Sequence, residues 1–199
     1  MIWALALVVP AYLIGNIAFS VLVAKMAGHD IYNEGSKNPG ASNVVRIAGW
    51  KWGLLAMALD IAKGFIPTLL TAVTLNELIP DQQSRIIQYL VGFATIVGHS
   101  FPIGRKGGKS IATGGGVIVA LFPIPGITAI ALWAIIMKFT KLPVVSSLVA
   151  AAILPIWVFI VHYYMWEFVI VLAFYAFVVI RHIPNIKRLL SKQESSVRR

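Results

Sequence analysis

The residues richest in chemistry lie at Gly104-Arg-Lys-Gly-Gly-Lys-Ser-Ile-Ala-Thr-Gly-Gly-Gly116, between two very apolar stretches. Glycine lets the backbone approach a ligand closely. A run of N–H groups opening a helix makes an anion nest, and the helix dipole reinforces it. Arg105, Lys106 and Lys109 add full positive charge, and Thr113 adds a hydroxyl. Phosphate binding by Lys106, Gly107, Gly108, Lys109 and Thr113 is the chemistry expected. A basic loop that only anchors the chain to a membrane needs neither the triple glycine nor Thr113. A Cβ at Gly108 is expected to keep phosphate away from the N–H groups. Gly108-Lys109-Ser110 also looks like the end of a P-loop, but the first glycine of that motif falls on Ile103. A nucleotide site of that type is set aside.

Two further segments carry polar residues of the right kind. In Gly35-Ser-Lys-Asn-Pro-Gly-Ala-Ser-Asn-Val-Val-Arg46, Pro39-Gly40 signals a turn. Ser42 or Asn43 is placed to cap a helix entering the membrane. Arg46 then sits about one turn inside, among Val44, Val45 and Ile47. A cation there calls for an anionic partner or a polar cavity, and guanidinium offers phosphate a bidentate fork. In Arg181-His-Ile-Pro-Asn-Ile-Lys-Arg188, His182 and Asn185 share a face if the helix continues through Pro184.

Other histidine patterns carry less. Some membrane acyltransferases use His-x-x-x-x-Asp; here His29–Glu34 and His162–Glu167 keep the spacing with glutamate instead. With no cysteine and four scattered histidines, no metal and no cofactor are expected.

The elements that must position these groups are membrane helices. Of 199 residues, 59% are hydrophobic and only 12% charged, against about 25% charged in a soluble domain. The chain is expected to be an all-α integral membrane protein with one domain over 1–199. Apolar stretches at Ile2–Ala24, Gly53–Leu75, Ile86–Phe101, Val144–Val161 and Phe168–Ile180 suit spanning helices. The first reads as a retained helix rather than a signal peptide. The stretch Ile111–Met137 is divided at Phe122-Pro-Ile-Pro-Gly126.

Charge placement supports that division. Cytoplasmic loops are rich in Lys and Arg. With the break, every basic residue except Lys63 and Arg85 falls on one side. Seven transmembrane helices are therefore expected, two of them short, with the N-terminus out and the C-terminus cytoplasmic. The formal charge of +10 is then a membrane-topology signal, and no nucleic acid partner is expected.

Three segments in order resemble one family, the bacterial acyl-phosphate-dependent glycerol-3-phosphate acyltransferases of the PlsY type. They are Gly35–Arg46, then Gly98-His-Ser-Phe-Pro102 with Lys106-Gly-Gly-Lys109 and Ala112-Thr-Gly114, then Arg181-His-x-x-Asn-Ile-x-Arg-Leu189. Asp60-Ile-Ala-Lys-Gly64 resembles the family's second helix. The resemblance implies an inner-membrane enzyme that moves a fatty acyl group from acyl phosphate to the 1-hydroxyl of glycerol 3-phosphate. Lysophosphatidate and phosphate are the products, and a soluble enzyme that makes acyl phosphate is an implied partner.

The resemblance assigns residues too. It places Ser36, Lys109 and His182 in catalysis, with Arg46, Asn43, Gly107, Gly108 and Asn185 at the substrates. Ser146, with Ser147, supplies hydroxyls near substrate phosphate, and Glu194 is a trailing structural acid. The family usually carries glycine where Lys37, Ser110 and Lys192 stand, and an aromatic residue where Arg105 stands. His182 is a candidate base or a phosphate ligand; the ligand role is preferred because a mixed anhydride needs little base assistance. The reading from another class is a small anion or lipid-phosphate transporter, with Arg46, Asp60 and Lys63 lining a pathway.

Overall fold

The computed structural model describes residues 5–197. The expected start of the first span at Ile2 and the tail cations Arg198 and Arg199 lie outside them. All regular structure among the described residues is helical. Contacts divide the chain into two compact units, Met1–Leu121 and Phe122–Arg199.

The first unit contains α1 (Val8–Asn16), α2 (Phe19–Met26), α3 (Ala41–Ala48), α4 (Trp50–Leu75), α5 (Asp81–Ser100) and α6 (Ile111–Leu121). The second contains α7 (Pro123–Thr140), α8 (Pro143–Ala152), α9 (Leu154–His162) and α10 (Met165–Leu190). Among the described residues, five stretches are long and apolar enough to cross a membrane: Val8–Met26, Trp50–Leu75, Pro123–Thr140, Pro143–His162 and Met165–Leu190. α5 is equally long but opens with Asp81, Gln82, Gln83 and Arg85, and α6 is short.

Polar and apolar residues are distributed as hydrocarbon demands. Leu70, Val73 and Ile156 are exposed, whereas Asp60, Lys63, Thr95 and Gln88 are buried. Without water, polar groups must find partners inside the bundle. Small residues let the helices approach closely. A Cβ on Gly64 would overlap the Thr113 carbonyl, and one on Gly116 the Ile61 carbonyl. Gly116 therefore serves the α4–α6 contact, in the manner of small-residue helix interfaces in membranes. Packing thus accounts for Gly116, one of the three glycines.

Several boundaries differ from expectation. The first span is not continuous: Ile17 is extended and Ala18 leaves the helical region, so α1 and α2 are separate. Gly15 adjoins that break but no proline does. Lys63 Nζ donates to the Ile17 carbonyl at 2.9 Å, and Arg105 donates to the Asn16 carbonyl and side chain. Tertiary cations thus satisfy carbonyls that the helix abandons. The break after α6 does occur, at Phe122, and Pro123 opens α7 where its missing N–H costs nothing. Pro184 does not end α10, which runs to Leu190.

α3 also corrects an expectation. With eight residues it is about 12 Å long, too short to span. Its N-cap is Gly40, with no side-chain cap, so neither Ser42 nor Asn43 plays the expected capping role. Lys37, Ser110 and Lys192 adopt φ of 54°, 58° and 57°. These are the left-handed positions at which glycine costs least.

Candidate functional site

In the first unit the glycine-rich segment is fastened to the 30–39 loop. Tyr32 Oη donates to the Lys106 carbonyl at 3.3 Å, and Lys106 Nζ donates to the Lys37 carbonyl at 3.1 Å. Ser110 Oγ lies 2.7 Å from Ser100 Oγ and donates to the Ile96 carbonyl at 2.9 Å. A narrow cleft forms against the α1–α2 break, lined by Asn16, Ser20, Pro39, His99, Arg105 and Gly108 among others.

The geometry changes the account of Gly108. Its N–H donates to the His99 carbonyl at 3.1 Å, so it closes the loop rather than facing a ligand. Glycine is needed for another reason: a Cβ would collide with His99 Nε2 and come within 2.9 Å of the Pro39 carbonyl. A Cβ at Gly107 would instead strike the Ser100 carbonyl. Gly108→Ala is expected to push the His99 ring out of place and raise the KM for a phosphate-bearing substrate. The size is about tenfold, that of one good polar contact. Steady-state kinetics in detergent measure it, and unchanged constants would remove the loop from the site.

Asn43, expected at substrate, is 1% exposed. Its Oδ1 accepts the Ser36 N–H at 2.7 Å, and its Nδ2 donates to the Ile31 and Glu34 carbonyls at 3.2 and 3.1 Å. Its amide is thereby committed to the loop that presents half-buried Ser36. Arg46 follows on α3 with Nε buried. Lys109 is half-buried. Thr113 is fully buried on α6, and its Oγ1 has no hydrogen-bond partner among the described residues.

The glutamate-containing histidine pairs do touch. His29 Nδ1 lies 2.8 Å from Glu34 Oε2, and the Asp30 N–H donates to Glu34 Oε1 at 2.7 Å. These bonds, His29 first, hold the Glu34 carboxyl below the usual range; the pair closes a surface turn. His162 Nδ1 lies 3.1 Å from Glu167 Oε2, and the His162 ring stands edge-on to Phe122 at 4.8 Å.

Sequence reasoning left one cluster out of the site. Asp60 and Lys63, one turn apart on α4, meet at 2.7 Å. Ser20 Oγ donates to Asp60 Oδ2 at 2.7 Å, and Lys63 Nζ contacts His99 Nδ1 at 2.7 Å. The available signal was an opposite-charge pair at i,i+3 inside an apolar helix. Asp60 and His99 line the polar cleft. Lys63 lines an apolar groove of about 460 Å³ with Leu7, Ile14, Phe19, Ile66 and Leu70.

In the second unit, Ser146 and Ser147 are buried on α8. Ser146 Oγ donates to the Leu142 carbonyl at 3.1 Å, and Ser147 Oγ accepts from Trp133 Nε1 at 3.1 Å. His182 and Asn185 are both buried on α10. His182 Nδ1 is 2.8 Å from the Val178 carbonyl. A carbonyl only accepts, so Nδ1 carries the proton, and the neutral ring has its lone pair on Nε2.

Glu194 returns from the chain beyond α10 to hold that face. Its Oε1 accepts from Asn185 Nδ2 at 2.8 Å, and its Oε2 accepts from Arg188 Nε at 2.8 Å. Glu194→Ala is expected to cost about 2 kcal/mol, within the range for hydrogen bonds to a charged group. Glu194→Gln should cost less because it can keep the Asn185 bond. Thermal unfolding in detergent reads the order; equal melting temperatures for all three proteins would contradict it.

Comparison with known proteins covers nearly the whole chain. The glycerol-3-phosphate acyltransferase family model matches residues 5–192. A glycerol-3-phosphate acyltransferase of Desulfotalea psychrophila is 38% identical, covering 94% of both chains. A crystal structure of PlsY, an integral membrane glycerol 3-phosphate acyltransferase, in its glycerol 3-phosphate form, superposes with a TM-score of 0.86. It is 34% identical and covers 97% of this chain and 94% of its own. The lysophosphatidic acid form superposes with a TM-score of 0.84 at 32% identity, with the same coverage.

Proposed function

The chain belongs to the glycerol-3-phosphate acyltransferase family, and from that premise we propose that it acylates the 1-hydroxyl of glycerol 3-phosphate with acyl phosphate. The observation that carries this reading is the meeting of two environments at one cluster. The apolar groove reaches Lys63, while Asp60 and His99, which contact Lys63, line the cationic cleft. An acyl phosphate has that same division, an apolar chain joined to a phosphate head.

In the proposed reaction the 1-hydroxyl oxygen attacks the acyl carbonyl carbon. The carbon–oxygen bond to phosphate breaks, and phosphate leaves with its bonding electrons. The hydroxyl proton passes to a base, giving lysophosphatidate. Phosphate is a good leaving group, so positioning and charge neutralisation supply much of the rate. Lys106, Gly107, Lys109 and Arg105 are assigned to the phosphate groups, with Gly108 closing their loop against His99 and Ser36 presented by Asn43. Arg46 is assigned a bidentate grip on glycerol 3-phosphate. Thr113 in the first unit, and Ser146 and Ser147 in the second, are assigned as hydroxyl contacts to substrate phosphate. In the second unit, His182 Nε2 is assigned the acceptance of a hydroxyl proton, and Asn185, held by Glu194, is assigned a substrate contact.

The protein is proposed to lie in the inner membrane with seven helices, N-terminus out and C-terminus in, facing a soluble source of acyl phosphate. A cysteine at Lys192 is then expected to react with an impermeant label only from the cytoplasmic side, and one at Gln82 only from outside. Labelling of both from one side would refute this topology.

The function is tested with purified protein in detergent, given acyl phosphate and glycerol 3-phosphate. Lysophosphatidate and phosphate should appear in equal amounts, and acyl-CoA should not replace acyl phosphate. Phosphate binding without product would turn the reading towards transport.

A further inference from the structure

We propose that residues 193–197 form a strap within the second unit, and that Val197 is a positioning residue for the substrate groups on α8 and α10. The proposal rests on the acyl-transfer reading for the assignment of Ser146 and Asn185 to substrate. It names glycerol 3-phosphate as the compound they hold.

A chain terminus stays poorly ordered unless something ties it down. In Lys192-Gln-Glu-Ser-Ser-Val-Arg-Arg199 the one apolar residue is Val197, and it is 2% exposed. Two anchors hold the segment. At the first, Lys192 turns the chain with a φ of 57°, and the Gln193 and Glu194 N–H groups donate to the Arg188 carbonyl at 2.7 and 3.1 Å. The Glu194 carboxylate then bonds Asn185 and Arg188. At the second, the Val197 N–H donates to the Lys141 carbonyl at 2.9 Å. The match to the family model ends at residue 192, so Val197 lies beyond it.

The second anchor joins the elements that carry the polar groups of this unit. Lys141 ends α7 in the left-handed conformation, and its N–H donates to the Met137 carbonyl at 2.9 Å. Leu142 and Pro143 follow at once, and Ser146 Oγ donates to the Leu142 carbonyl at 3.1 Å. α8 therefore starts from the strapped turn. Glu194 fixes Asn185 on its own helix, whereas the Val197–Lys141 bond ties that end of α10 to the start of α8. Glu194 precedes Val197 by three residues, which reach at most about 11 Å when extended. The strap thus has little slack while both anchors hold. Ordering it costs conformational entropy, which the buried valine and the backbone bonds offset.

Three variants test the strap. Val197→Asp puts a carboxylate at a buried position and releases the second anchor. Val197→Pro removes the N–H donor without adding charge. Val197→Ile keeps both donor and apolar side chain. In purified protein in detergent, the first two are expected to raise the KM for glycerol 3-phosphate about fivefold, the size of one hydrogen bond. Turnover and the KM for acyl phosphate should stay within about twofold of the parent, and Val197→Ile should match it. A merely structural role would lower the active fraction and leave both KM values unchanged. Val197→Pro gives the same reading without a buried charge, so it decides the matter if Val197→Asp does not fold. A further measurement needs no variant: the Val197 amide should exchange with deuterium more slowly than that of exposed Ser196. Parental KM values in Val197→Asp, an equal rise for both substrates, or exchange at Val197 as fast as at Ser196 overturns the proposal. Lysophosphatidate made with parental constants by all three variants sinks the strap and leaves the acyl-transfer reading intact. Binding of glycerol 3-phosphate is read separately from ligand-induced thermal stabilisation. If the unaltered protein binds it, Val197→Asp binds it more weakly and no lysophosphatidate forms, the acyl-transfer reading fails and the strap stands.

Discussion

His182→Gln is expected to lower turnover at saturating substrates by a hundredfold or more, with the KM for glycerol 3-phosphate changed less than about threefold. That turnover loss is the usual contribution of a positioned general base. The expectation reverses the preference drawn from sequence, which made His182 a phosphate ligand. The reversal comes from one contact: the Val178 carbonyl, 2.8 Å from Nδ1, fixes the proton there. A neutral ring so held presents only a lone pair at Nε2, which repels phosphate oxygens and accepts from a hydroxyl. Glutamine can donate or accept a hydrogen bond but cannot take a proton at neutral pH. A raised KM with turnover within about tenfold of the parent, roughly 1.4 kcal/mol of barrier, would restore the ligand role.

Arg46→Lys is expected to lose nearly as much activity as Arg46→Ala, about 2 kcal/mol or some thirtyfold in kcat/KM. Lysine keeps the charge and loses the planar fork that grips two phosphate oxygens together. Arg46 lies in the last turn of α3, a helix too short to span and packed through Val44 into a core with Val23, Ala24, Ile31 and Ala56. That packing fixes the backbone from which the guanidinium extends. The measurement is kcat/KM for glycerol 3-phosphate, with melting temperature as the control for folding. Near-parental activity in Arg46→Lys would leave only a general positive charge at this position.

The helical membrane class was legible from composition and the long apolar runs, because hydrocarbon admits few other spanning structures. The division at Phe122 was legible too, since Pro123 cannot continue a helix and the placement of Lys and Arg favoured a break. Order and spacing of three polar segments pointed to the family. The roles of individual residues within those segments were much less accessible. Asn43 and Ser36 sit in one motif, yet only the folded loop commits the Asn43 amide to the Ser36 backbone. Gly108 reads as a phosphate cradle in sequence, and the fold uses its missing side chain to admit His99.

The α1–α2 break has only a weak local signal, Gly15-Asn16 at the end of α1. It is stabilised by Lys63 and Arg105, 46 and 89 residues away in sequence. The histidine tautomers were equally hidden, because imidazole is symmetric in composition and becomes a donor or an acceptor only through its neighbour. Sequence determined which groups the bundle would contain and that polar ones must find partners inside it. Tertiary structure decided which partners they found, since in a low-dielectric interior the nearest acceptor or donor fixes where each proton resides.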